Sequence, residues 1–248
     1  MTTESKASES TELVDYEALL AGMAKQASSV EKPSSSSIGV RAGILTYGGQ
    51  PVVGNKLDCI VIASTHTNLL YEGAFDPNNL SNPVCFAYSE SGEDMTPHPA
   101  SSKPQHSDCR SCPNNQWGSD PSGGKGKACK NGRRLAIIPA DTKPEDVAAA
   151  EVATLALPVM SITNWSNYVH KCSALFSRPP LGVLTQIGTV PDAKSQFRVT
   201  FNYVSSLDKS LLMPLIQKAQ DPAVREILER VYEPNAEKPE ASGKAKKF

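Results

Sequence analysis

The stretch LDCIVIA, residues 57–63, is an almost continuously apolar segment of the predicted core. Branched aliphatic residues dominate it, and it is shorter than an ordinary buried helix, so it predicts a buried strand. Cys59 lies inside this run, and Cys172 lies inside a predicted helix. Free cysteines in apolar surroundings behave as small hydrophobes, so we expect both to lie in the core.

Further short strands are predicted on both sides of this run. The clearest covers residues 196–204, where apolar and polar side chains alternate as on a strand with two different faces. The others cover residues 38–46, 84–88, 134–139, 152–157 and 181–190, with turns at 48–49 and 191–192. Residues 144–157 also allow a helix start, because Pro144 is followed by two acids.

Helices are predicted at three places outside these strands. Ser161 is a suitable N-cap for a helix with Trp165 and Cys172 on its apolar face, which places Trp165 in the core. A second helix begins at Asp221-Pro222. The third lies near the N-terminus, with an apolar face formed by Leu13, Tyr16, Leu19, Leu20 and Met23.

Together these elements predict a mainly β fold with peripheral helices, of the α+β class. The strands do not alternate regularly with helices, which disfavours a doubly wound parallel sheet. A small antiparallel barrel of the OB type, with a zinc-stapled loop insertion, fits best. We expect an N-terminal arm over 1–36 with a short helix and a Ser-rich linker, an OB-like core over 37–234, and a flexible tail over 235–248.

Composition excludes several classes of protein. The 248 residues include 39% hydrophobic ones, enough for a packed core, and collagen, coiled-coil and fully disordered chains are excluded. Since no run reaches the roughly 18 apolar residues of a membrane helix, we do not expect a membrane protein. The first residues lack the basic head and apolar core of a secretory signal, so we expect a reducing, intracellular location.

Residues 89–132 contain no apolar periodicity. A loop of this length inside a compact domain is uncommon unless a cross-link, such as a bound metal ion, holds it together. Cys109 and Cys112 form a C-x₂-C pair, and Cys129 follows after sixteen intervening residues. This spacing predicts a structural zinc ion within an insertion covering about residues 85–132. Cys85, His98 and His106 compete as fourth ligand; we favour Cys85, which lies directly before the loop.

The same pattern argues against an enzyme. Four thiolates would close the coordination shell of the metal, whereas a catalytic zinc keeps one position open. The chain contains neither H-E-x-x-H nor the H-x-E motif of zinc deaminases. Its four histidines are scattered along the sequence, at positions 66, 98, 106 and 170.

Charge is distributed unevenly, although the formal net charge is −1. Residues 103–134 contain seven Lys and Arg against two Asp, whereas residues 1–35 contain six acids against three Lys. A basic, glycine-rich loop suits a phosphate backbone, and an aromatic side chain can stack on a base. The candidate nucleic-acid contacts are Lys125, Lys127, Lys130, Arg133, Arg134, Trp117, Tyr47 and Arg41.

Several segments together resemble replication-associated proteins of tailed bacteriophages. They are residues 83–87, 95–98, 109–112, 115–119, 124–135 and 157–168. Within that group they are most similar to the phage single-stranded-DNA-binding proteins, an OB-fold family in which a zinc subdomain is known. The resemblance implies zinc ligands at Cys85, Cys109, Cys112 and Cys129.

The same resemblance implies a protein that coats single-stranded DNA with little sequence specificity during replication or recombination, in the cytoplasm of the infected bacterium. It also implies contacts with replication or recombination proteins through the terminal segments, and self-association on DNA. One departure is the C-terminus, where Phe248 follows lysines rather than acids. The alternative function is a zinc-ribbon adaptor that binds a transcription, recombination or nuclease protein.

Overall fold

The computed structural model describes residues 16, 19, 20, 22, 23, 26, 37–73 and 81–235. The chain divides into two units, Met1–Ser35 and Ser36–Phe248. In the first unit the described residues are helical, and the apolar residues among them, Tyr16, Leu19, Leu20 and Met23, are exposed. Leu13, most of the Ser-rich linker and the tail from residue 236, with Phe248, lie outside the described residues.

The described part of the second unit forms one mixed sheet, three α-helices and five short 3₁₀ helices. The strands are β1 (Ser37–Arg41), β2 (Ile44–Tyr47), β3 (Gln50–Pro51), β4 (Lys56–Leu70), β5 (Cys85–Ser89), β6 (Lys130–Pro139), β7 (Ala153–Leu157), β8 (Val183–Asp192) and β9 (Gln196–Ser206). The helices are α1 (Ile162–Phe176), α2 (Lys209–Ala219) and α3 (Pro222–Leu228). The sheet order is β3-β2-β1-β7-β6-β4-β8-β9, and β5 also pairs with β4.

Strand β4 contains the LDCIVIA run and lies at the centre of the sheet. One of its edges pairs with β6, and the other pairs with β8 at its start and with β5 at its end. Cys59 and Val61 belong to one hydrophobic core, whereas Ile60 and Ile62 belong to the core on the opposite face. Burial on both faces explains why this run is almost continuously apolar.

Helix α1 covers the first face. Trp165, Tyr168 and Cys172 are buried there against residues of β4, β6, β8 and β9, which confirms the prediction for Trp165 and for both core cysteines. The Ser161 hydroxyl does not cap its own helix but accepts a hydrogen bond of 2.9 Å from the Val199 amide. The start of α1 is thereby fixed to β9.

Helices α2 and α3 cover the opposite face. Leu215 of α2 and Val224 and Leu228 of α3 are buried against β4 and β6. Asp208 and Asp221 cap the two helices by accepting hydrogen bonds of 2.9 Å from Ser210 and Ala223 amides. The central sheet is therefore enclosed by helices on both sides.

The structure confirms the mainly β, α+β class, but it does not confirm the predicted OB barrel, because the sheet is not closed. β1 pairs with β7 in parallel, and the two ends of the strand order, β3 and β9, are not joined by ladder hydrogen bonds. The β1–β2 hairpin instead approaches β8 through side chains. The side-chain nitrogen of Asn55 donates to the Gly43 carbonyl at 2.9 Å and to the Thr189 hydroxyl at 2.5 Å.

Among the described residues, no helix combines the length and the apolar character that crossing a bilayer would require. The long connection between β5 and β6 starts after Ser89, which pairs with His66, and ends before Lys130, which pairs with Leu69, so both of its ends lie near the C-terminal end of β4. This end of β4 holds the candidate site.

Candidate metal centre and basic cleft

Strand pairing brings two of the predicted ligands together. Cys85 is the first residue of β5, opposite Leu70, and Cys129 directly precedes the first residue of β6, which is opposite Leu69. Since β5 and β6 lie on opposite edges of β4, both cysteines lie beside the last two residues of that strand. The paired residues are far apart in sequence, so sequence periodicity cannot predict that these two cysteines meet.

Hydrogen bonds of the intervening loop bring the C-x₂-C pair to the same place. The Cys109 amide donates to the Met95 carbonyl at 2.9 Å, and the Cys129 amide donates to the Asn114 carbonyl at 2.8 Å. Asn115 closes the turn, because its amide donates to the Cys112 carbonyl at 2.9 Å and its side chain to the Cys109 carbonyl at 2.7 Å. The turn after Cys112 is thus held beside the strand that follows Cys129.

All four cysteines line one small cavity of about 20 Å³. Three of them are buried, Cys85 is half-buried, and none forms a disulfide bond. As the side chains stand, no group of three or more His, Cys, Asp or Glu in the described part of the chain is arranged to hold a metal ion. The donor set itself, four thiols around one cavity, matches the chemistry of a closed Cys₄ zinc site.

The two competing histidines lie in different places. His106 lines the cavity, and its Nδ1 is 3.1 Å from the Asp108 carbonyl, within its own loop. His98 is not among the residues that line the cavity. Its ring stacks on Phe86 with centroids 5.0 Å apart, and its Nδ1 accepts a hydrogen bond from the Ala100 amide.

Burial keeps two of the thiols protonated at neutral pH. Burial raises the pKa of Cys109 to about 11, and the nearby Cys85 and Cys112 raise it too, against a hydrogen bond from Asn68. Burial and the other three cysteines raise the pKa of Cys129 to about 12. Four thiolates around one cavity would repel each other, so ionisation of the cluster would require a bound cation between them.

A larger cavity of about 330 Å³ adjoins the cysteine cluster, and we call it the basic cleft. Its walls are His66, Asn68, Gly92, Asp94, Met95, Cys109, Arg110, Asn115, Gln116, Lys127, Asn131 and Arg133. Arg110, Lys127 and Arg133 are its cations, and Asp94 is its acid. Asn68, Cys109 and Asn115 line both cavities, so the two share a wall.

The structure brings some of the predicted nucleic-acid contacts together at this cleft. Lys127 and Arg133 line it, and the Lys127 ammonium lies 5.4 Å from the ring centroid of Trp117. Trp117 is 79% exposed and Lys125 is exposed on the same loop. Lys130 forms an ion pair of 2.9 Å with Asp120.

Three predicted contacts lie elsewhere. Arg134 is only 8% exposed; it donates to the Leu228 carbonyl at 2.8 Å and to the Tyr232 hydroxyl at 2.9 Å. Tyr47 packs against the core, and Arg41 is exposed at the end of β1. Neither Tyr47 nor Arg41 lines the basic cleft, and the interior position of Arg134 removes it from the interface that we propose below.

Sequence reasoning missed the polar residues of β4 and β6 that form the floor of the cleft. Asn131 donates to the side-chain oxygens of Asn68, at 2.5 Å, and Asn115, at 2.9 Å. His66 lies on the same wall, with Nδ1 3.1 Å from the Glu90 carbonyl. Burial and the nearby Arg133 lower the pKa of His66. The available signal was the row of polar residues from Ser64 to Asn68 directly after the apolar run.

Comparisons with protein-family models, with curated proteins and with solved structures find no match for this chain. The resemblance to phage proteins therefore stays a prediction. The chemistry of the site rests on its own residues: four thiols around one cavity, and a basic cleft that shares a wall with it.

Proposed function

We propose that this chain is a single-stranded-DNA-binding protein whose basic loop is folded around a structural zinc ion. The observation that supports it is the common wall of the two cavities, which places four thiols directly beside three cations and near an exposed tryptophan. Such a protein coats the strand with little sequence specificity, because it contacts phosphates and stacks on any base.

In this proposal the zinc ligands are Cys85, Cys109, Cys112 and Cys129. Zinc bound by four thiolates is tetrahedral and has no open position, so its role is structural. It would join the start of β5, the C-x₂-C turn and the start of β6. Metal binding of this kind contributes on the order of 10 kcal/mol to folding, enough to order a loop without apolar periodicity.

The DNA contacts would combine charge and stacking. Lys125, Lys127 and Arg133 would neutralise phosphates and release counterions, so binding weakens as salt rises. Trp117 would stack on a base with the ring face that Lys127 leaves free. The proposal includes DNA binding in the manner of an OB fold, because OB folds are partly open barrels. Here Asn55 joins the β1–β2 hairpin to β8 by hydrogen bonds.

The biological setting comes from the resemblance alone. We propose action during phage replication or recombination in the host cytoplasm, with the terminal segments recruiting other proteins and supporting self-association on DNA.

Two measurements on the full chain test this function. Elemental analysis of the purified protein should give about one zinc per chain, and a fluorescence titration with oligo-dT should show binding that weakens steeply from about 50 to about 200 mM salt. The control titration uses duplex DNA of the same length, which should bind more weakly. Salt-insensitive or absent binding, together with a stable protein partner, would favour the zinc-ribbon adaptor instead.

A further inference from the structure

Within the described part of the chain, the side chain of Arg133 forms no ion pair with an acid. Among residues 37–73 and 81–235, ion pairs involve Lys103, Lys130, Arg198 and Arg225, but not Arg133. Its guanidinium is half-buried at the cleft and donates to the Gly132 carbonyl at 3.1 Å. A guanidinium has a fork of donors, so several remain for an anion in the cleft.

The second cation is held in place by the floor of the cleft. The Lys127 ammonium donates to the side-chain oxygen of Asn115 at 3.3 Å. Asn131 donates to the same oxygen, and the side-chain nitrogen of Asn115 donates to the Cys109 carbonyl. Lys127 is therefore positioned by a network that ends at the cysteine cluster, unlike Lys125, for which the structure shows no such side-chain bond.

An aromatic platform for a base, Trp117, lies close to Lys127. The Lys127 ammonium contacts one face of the Trp117 ring, which leaves the other face of this exposed side chain free. A ligand with a phosphate between Lys127 and Arg133 thus has an aromatic surface beside it. The volume of about 330 Å³ lies at the lower end of the range for small-molecule pockets, which suits a single nucleotide unit.

We propose that the basic cleft binds one nucleotide unit of the strand, with its phosphate held by Arg133 and Lys127 and its base directed towards Trp117. Arg110 adds a third cation at the rim, where its side chain is exposed. This inference rests on the proposed function and makes it more specific, because it names one phosphate site among the many cations of the chain. The same chemistry would accept a free nucleotide.

Charge-matched variants separate this site from general electrostatic attraction. Arg133→Gln removes one charge inside the cleft, and Lys143→Gln removes one exposed charge outside it. We expect Arg133→Gln to weaken oligo-dT binding about tenfold and to reduce the salt slope by about 0.7, the value for one phosphate contact on a single strand. Lys143→Gln should change affinity less than about twofold. Arg133→Lys should restore part of the loss, because it keeps the charge but not the fork.

Equal effects of Arg133→Gln and Lys143→Gln, in variants with unchanged zinc content and thermal melting, would overturn the cleft proposal while the proposed function stands. If the wild-type chain does not bind oligo-dT, the proposed function fails, and thymidine monophosphate then tests the cleft on its own. Chemical-shift changes confined to His66, Asn131 and Trp117 would support a nucleotide site. No shift at millimolar nucleotide would overturn it.

Discussion

Arg133 and Arg134 are neighbours on β6, yet one lines the basic cleft and the other is buried. Both were predicted to contact DNA, yet successive residues of a strand point to opposite faces, so they cannot share one surface. Arg133 lines the basic cleft, whereas Arg134 bonds to Leu228 and Tyr232 inside the protein. A count of charges along the sequence treats the two arginines as equivalent. The pairing of β6 with β4 and β7 determines which of them faces the cleft.

Arg134→Ala should therefore reduce stability rather than affinity. The change leaves the buried Leu228 carbonyl without its donor and removes packing, at a cost of about 2 kcal/mol in the free energy of unfolding. Urea denaturation measures that cost, and oligo-dT titration of the folded variant should give the wild-type dissociation constant. Normal stability with weakened binding would return Arg134 to the interface.

At the scale of elements, sequence reasoning found strands more reliably than their ends. The apolar run of β4 was predicted correctly, but the strand continues to Leu70 through polar residues that resemble a loop. These residues pair with β5 and β6 at once, which periodicity cannot show. Helix α2 was missed, because Pro214 lies within it. The predicted closed barrel was not confirmed, because the number of strands does not determine which sheet edges pair.

The close approach of β4 and β6 beside the cleft gives a prediction for Gly132. A Cβ atom at this position would lie 2.6 Å from the Thr67 hydroxyl oxygen, so the buried Thr67 side chain or the strand that holds it would have to shift. Gly132→Ala should cost about 1–3 kcal/mol of unfolding free energy. Gly124→Ala, where the nearest atom to a Cβ would be 3.9 Å away, should cost little in the same urea experiment. Equal stability of the two variants would contradict this packing.

The loop between β5 and β6 should depend on the metal, whereas the sheet should not. Cys109→Ser should release zinc and make residues 89–129 sensitive to limited proteolysis, while the near-UV signal of the core around Trp165 persists. Cys59→Ala is the matched control: it lies in the core, so it should lower stability but retain the zinc. Full zinc content in Cys109→Ser would exclude Cys109 as a ligand.

The raised thiol pKa values give the direction of a pH effect. Without metal, Cys109 and Cys129 hold their protons at neutral pH, with pKa values of about 11 and about 12. A zinc ion bound here would have to displace these protons, so its affinity should rise as pH increases from about 6 to about 8, with proton release on binding. Competition with a chromophoric chelator across this range measures the effect. An affinity independent of pH would argue against thiolate ligands.

At the scale of the whole molecule, a net charge of −1 conceals an acidic segment and a basic loop. Residues 1–35 contain six acids, and such a segment can compete with DNA for the basic residues. Deletion of residues 1–35 should therefore tighten oligo-dT binding at low salt, with a smaller gain at high salt because screening weakens the competition. Unchanged affinity at both salt concentrations would mean that the segment does not reach the binding surface.

In the function proposed above, the zinc-bound loop and the basic cleft contact the phosphates of single-stranded DNA. The most direct measurement compares the salt dependence of oligo-dT affinity for the wild-type chain and for a variant with Lys125→Gln, Lys127→Gln and Arg133→Gln, both with full zinc content. Three lost phosphate contacts should reduce the slope of log affinity against log salt by about 2. Identical slopes would contradict the claim.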